Sequence, residues 1–117
     1  MPVKRKRELD HEQVWKDFRD AVNMAPATLE KWLQTKESRD NGWPEGDSRE
    51  TIGHHSGRRI VEIRQKKRAD LTNNDYEHMR KVVGYVHRHL AQGGPEGDKK
   101  HSAWRYSLMN WGHDPLK

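Results

Sequence analysis

Residues 53–68 read GHHSGRRIVEIRQKKR, two histidines and a serine followed by six cationic side chains around three aliphatic ones. Two kinds of chemistry suit these types. Histidines can ligate a metal, and the N–H groups of a helix start, with arginines in its first turn, can hold a phosphate. Ser56 is a good helix cap, with Gly57, Arg58 and Arg59 directly after it. Ser56 to Arg59 is therefore a candidate phosphate cradle, in which arginine adds bidentate hydrogen bonds. Lys66 and Lys67 would hold further phosphates. Lys4, Arg5, Lys6 and Arg7 form a second basic run, able to follow a nucleic-acid backbone or enter a minor groove without a fold of its own.

The metal reading is weaker. Ligand pairs on a helix sit three or four residues apart, and none of the eight histidines has a neighbour at that spacing. In a helix, His87 and His89 would point roughly 200° apart. Partner-bonded or exposed histidines are expected, with no metal or other cofactor. The chain has no cysteine, which excludes disulfides, thiolate zinc sites and cysteine nucleophiles. It also lacks a G-x-S-x-G elbow, a Walker loop and a G-x-G-x-x-G turn after a strand. His113 beside Asp114 is too common a pairing to suggest acid–base catalysis. A non-enzymatic protein is expected.

The elements that must position these residues are helical. Val14, Trp15, Phe18, Ala21 and Val22 recur at helical spacing from about 11 to 23, behind Asp10 and Gln13, which fit a capping box. Asn23 could then leave in the left-handed conformation. Pro26 suits the first position of a second helix, with Leu29, Trp32 and Leu33 facing inward. The pair has the outline of a helix-turn-helix, but ATLEKWLQTK offers a DNA groove little beyond Glu30, Lys31 and Lys36. Residues 37–50, ESRDNGWPEGDSRE, read as a loop from which Trp43 folds back as an apolar plug or else stands out as an exposed aromatic contact.

The basic helix could start after Ser48 or after Ser56. Ile60, Val61 and Ile63 form its buried arc, and Gly57 allows close helix contact. Arg64 and Arg68 lie over that arc and must snorkel or meet carboxylates of the first half. Thr72 and Asp75 cap the longest helix, whose stripe is Tyr76, Met79, Val82, Val83, Val86 and Leu90, and which ends at Gly93 and Gly94. His78, Tyr85 and His89 align along one flank of it. Ser102 caps a short last helix bearing Trp104, Leu108, Met109 and Trp111, expected to dock onto the other helices.

Composition agrees with one small domain. The chain has 117 residues, with hydrophobic content of 31% against 35% charged, so its core must be concentrated in these patterned segments. Charge is polarised. Residues 1–9 carry four basic and one acidic side chain (+3), 10–51 six and ten (−4), and 53–68 six and one (+5). Such asymmetry suits a polyanion, or holds two halves together. MPVKRKRELD has no apolar stretch, and nothing approaches the roughly 20 apolar residues that span a bilayer. No membrane association and a cytoplasmic location are expected, on the nucleoid if DNA is the partner. The fold class is all-α: a single-domain bundle of four main helices plus a short C-terminal one over residues 10–117, preceded by a flexible basic arm over 1–9.

MRKVVGYVHRHLAQ (79–92) and WRYSLMNWGHDPLK (104–117) resemble an uncharacterised family of small, mostly bacterial proteins, a domain of unknown function. The likeness extends to VWKDFRDAVNMAPATLEKWLQT (14–35) and GHHSGRRIVEI (53–63). The resemblance implies one intact domain and, from a label some members carry, DNA binding; it supplies no catalytic or ligand residue. The resulting expectation is nucleic-acid binding of low sequence specificity, with DNA the expected partner. The rival is a protein-interaction or homo-oligomeric module using His78, Tyr85, His89, Trp104 and Trp111.

Overall fold

The structure, a computed structural model, describes the backbone of residues 3–44, 46 and 49–117 and the side chains of 11–44, 46 and 49–117. It is all-helical: α1 (Val3–Ala21), α2 (Pro26–Leu33), α3 (Lys36–Asp40), α4 (Ile52–Gln65), α5 (Asn73–Gln92) and α6 (Ala103–Asn110), with a 3-10 turn at Arg68–Asp70. The four main helices and the short last one match the expectation. No helix among the described residues is long and apolar enough to cross a membrane.

α1 and α5 pack lengthwise, and α2 and α4 form a second pair closed off by α6. Phe18, Leu29, Ile60, Ile63, Met79, Val82, Val86 and Leu108 are almost fully buried. The apolar spacing on each helix therefore decides which face turns inward. Thr72 and Asp75 form the expected capping box, and α5 ends at Gly93 with φ +74. Gly57 permits a close approach, because a Cβ there would stand 2.5 Å from Leu33 Cδ2 and 2.7 Å from the Asn110 carbonyl. Buried Asn110 accepts from Trp32 Nε1 at 2.8 Å and from the Ser38 hydroxyl, and donates to the Ser38 carbonyl at 3.0 Å. It joins α2, α3 and α6 through one satisfied side chain.

Five local expectations are corrected. α1 begins at Val3 rather than near residue 11, since Lys, Arg, Glu and Leu are all good helix formers. The Asp10 to Gln13 stretch is thus helix interior, where Gln13 bonds Asp17. The side chains of Lys4, Arg5, Lys6 and Arg7 lie outside the described residues. Asn23 does not adopt a left-handed conformation. Its amide instead makes two bonds to the Asp114 backbone, which together with His113 Nδ1 at 2.7 Å from the Ala21 carbonyl docks the tail as expected. The segment read as a loop over 37–50 begins with α3, capped by Thr35 through the Ser38 N–H. Trp43 is not a plug: it is 82% exposed. α4 starts after Thr51, not Ser48 or Ser56. An isolated bridge from Thr51 to Pro44 holds it extended, and its hydroxyl accepts from the His54 N–H.

Candidate functional site

The start of α4 sets the register of every residue in the basic segment. With the cap at Thr51, Ser56 falls inside the helix, 3% exposed, and its hydroxyl meets His78 Nε2 at 2.9 Å. Ser56 to Arg59 is therefore not a helix terminus and presents no unpaired N–H groups to a phosphate, which corrects the cradle expected there.

Of the four named cations whose side chains are described, three face carboxylates. Arg58 donates through Nε to Glu50 at 2.7 Å and through Nη2 to the other oxygen. His54 bonds Glu50 through Nδ1 and the Leu33 carbonyl through Nε2. The Arg58 fork, acting against burial and with help from His54, lowers the Glu50 carboxyl to about 2. Arg59 and Lys66 both reach Asp75, each at 2.8 Å. Asp75 is 1% exposed. Burial pushes its carboxyl up, but Lys66, the Thr72 N–H and Arg59 outweigh that and hold it well below the usual carboxylate range. Arg58, Arg59 and Lys66 therefore anchor α4 to the turn before it and to α5, instead of standing outward as a basic face. Lys67 is exposed.

A second set of cations has no such partner. Arg19 and Arg68 stand over the Trp15 ring at 5.4 and 5.5 Å from its centroid. Arg64 lies close enough to Arg19 that burial, then the Arg19 charge, lowers its pKa. None of these three arginines makes an ion pair with a carboxylate among the described residues. Of the two expectations for Arg64 and Arg68, snorkelling or meeting carboxylates of the first half, the second is not seen among the described residues: Arg68 stands exposed over the Trp15 indole, and Arg64 lies near Arg19. Sequence periodicity places Trp15 only in the apolar stripe of the first helix and does not single out Arg19. Their four-residue spacing on α1 was legible, but the convergence of Arg64 and Arg68 on them was not.

The aromatic flank of α5 is packed against the tail. Trp111, buried, stacks on Tyr85 at 4.3 Å and lies near-parallel to His78 at 6.2 Å, while Tyr85 stacks on His89 at 5.2 Å. Trp104 donates Nε1 to the His89 carbonyl at 2.9 Å. His78, Tyr85, His89 and Trp111 thus form an internal column. The outer side of Tyr85, His89 and Trp104 borders an open groove of about 550 Å³ shared with exposed Trp43. At its edge His89 Nε2 is buried without a hydrogen-bond partner.

No curated protein and no solved structure matches the chain. A family model, described as protein of unknown function (DUF3140), matches residues 17–109, from within α1 to within α6. The chain belongs to that family.

Proposed function

We propose that the chain is a non-enzymatic, cytoplasmic nucleic-acid binder of low sequence specificity, which grips backbone phosphates, DNA being the first partner to test. The observation that carries this reading is the group of Arg19 and Arg68 over Trp15 with Arg64 near Arg19, which concentrates positive charge with no ion pair to a carboxylate among the described residues. Guanidinium groups bind phosphate bidentately, and an arginine left unpaired in the folded state retains that capacity in full. Exposed Lys67 and the run Lys4 to Arg7 add charge of the same sign. Phosphate contacts position a protein without reading bases, and α2 carries few groups for a major groove, hence the low specificity.

The test is the salt dependence of binding to duplex DNA, single-stranded DNA and RNA. Affinity should fall steeply with salt. Replacing Arg19, Arg64 and Arg68 together by Gln should reduce the log–log slope by about 2–3, since each duplex phosphate that a cation neutralises adds about 0.9 to it. Arg58→Gln should leave it nearly unchanged. No binding at low salt, or a slope governed by Arg58 instead, would overturn the reading.

A protein-interaction role is the second reading, favoured by the groove where exposed Trp43 stands beside Tyr85, His89 and Trp104. Aromatic residues on a surface are the commonest binding hot spots. A light-scattering mass of one chain, unchanged by Trp43→Ser, would remove self-association from it.

A further inference from the structure

At the His78 and Trp111 end of the aromatic column is a smaller cavity of about 160 Å³, where α4, α5 and the end of α6 meet. His55, Ser56, Arg59, His78 and Lys81 line it beside Trp111, and no carboxylate among the described residues does. Arg59 gives one N–H to Asp75, yet its remaining N–H groups have no partner among the described residues. Lys81, exposed, has none either. Ser56 and His78 are bonded to each other, and Trp111 lies against the imidazole. Burial, then the charges of Arg59, Lys81 and His55, lowers His78 to about 4, so the imidazole is neutral at neutral pH. Burial is the larger cause of that depression; Arg59 and Lys81 bring positive charge to the same small polar space. The volume is room for about five waters at roughly 30 Å³ each, or for the four oxygens of a phosphate and one water.

We propose that this cavity is a binding site for a phosphate-type oxyanion, with Arg59 and Lys81 supplying charge and the bonded Ser56–His78 pair its one remaining donor. It is separate from the arginine group around Trp15 and does not require a nucleic-acid strand. An anion seated there offsets the charges that disfavour the imidazolium, so occupancy and the protonation of His78 are linked.

The experiment follows the His78 ring by long-range ¹H–¹⁵N NMR while inorganic phosphate is added at low ionic strength, with chloride as the matched control. The expected result is a saturable shift with phosphate alone and a rise of about one unit in the His78 titration midpoint. Lys81→Gln, on an exposed side chain with no hydrogen bond or ion pair among the described residues, should weaken the phosphate affinity several-fold and leave the fold intact. The Arg19, Arg64 and Arg68 triple variant should leave the shift unchanged, which separates this site from the nucleic-acid reading. Adding a mononucleotide and a short oligonucleotide identifies the source: a strand that moves His78 in competition with phosphate places its own phosphate there, whereas one that leaves His78 unmoved assigns the cavity to a free anion. A phosphate response that does not saturate, that chloride reproduces, or that Lys81→Gln does not weaken would overturn the proposal.

Discussion

Two groups of cations belong to the same stretch of chain and differ in what surrounds them. Arg58, Arg59 and Lys66 end on Glu50 and Asp75, whereas Arg68 stands with Arg19 over an indole, Arg64 lies near Arg19, and neither Arg64 nor Arg68 meets a carboxylate among the described residues. A count of charges along residues 53–68 treats the two groups alike. The folded molecule pairs the first group with carboxylates and leaves the second without one among the described residues. The first group contributes to stability, because a buried carboxylate without its cations is costly; the second costs some stability, because Arg64 is held near Arg19 and partly out of water.

Removing the shared anion should have the largest effect. Asp75→Asn leaves Arg59 and Lys66 facing a neutral amide and weakens the Thr72 cap. It is expected to destabilise the fold by about 3 kcal/mol in denaturant unfolding. If Asp75 is what silences those cations, the same variant should bind nucleic acid more tightly at low salt. Next comes Gly57→Ala, in the carboxylate-balanced half of α4. The added methyl collides with Leu33 and with backbone at Asn110, for an expected loss of about 1–3 kcal/mol. An unchanged midpoint would mean that α4 does not need this close approach.

A smaller effect should appear in pH. Folding holds His78 near 4, below the ordinary value of 6.5, so as pH falls the unfolded chain takes up the proton first. The stability is fully present above about pH 6.5 and is lost progressively down to about pH 4. The full shift corresponds to about 3 kcal/mol, which partial solvent access reduces to about 1–2. Denaturant midpoints measured across that window should show the loss, and His78→Gln should flatten it. The smallest change sharpens the comparison most. Arg64→Met should be neutral or stabilising by up to about 1 kcal/mol, while lowering the salt slope of duplex binding by about 0.9. A clear destabilisation would place Arg64 with Arg59, as a residue that serves the fold.

Much of the architecture was legible because it depends on local patterns. The stripe from Tyr76 to Leu90, the Thr72 and Asp75 box, Pro26 at a helix start and the small-residue contact at Gly57 are all statements about residues a few positions apart. Errors arose where a distant partner decided. Ser48, Thr51 and Ser56 are comparable caps by type, and the bridge from Thr51 to Pro44 selects among them. Asn23 could have ended α1 in a left-handed turn, but the Asp114 backbone engages its amide. Once the cap moved to Thr51, the cradle expected at Ser56 became the middle of a helix.

The sequence by itself determined an all-helical chain, its apolar faces and the location of its positive charge, since periodicity, caps and composition act over one or two turns. Only the tertiary structure decided which charges remain available. Asp75 lies nine residues from Lys66 and sixteen from Arg59, and Trp15 more than fifty from Arg68. Whether a cation faces a carboxylate, an indole or a cavity depends on distances that packing creates, and electrostatic energy falls off with those distances, not with separation along the chain.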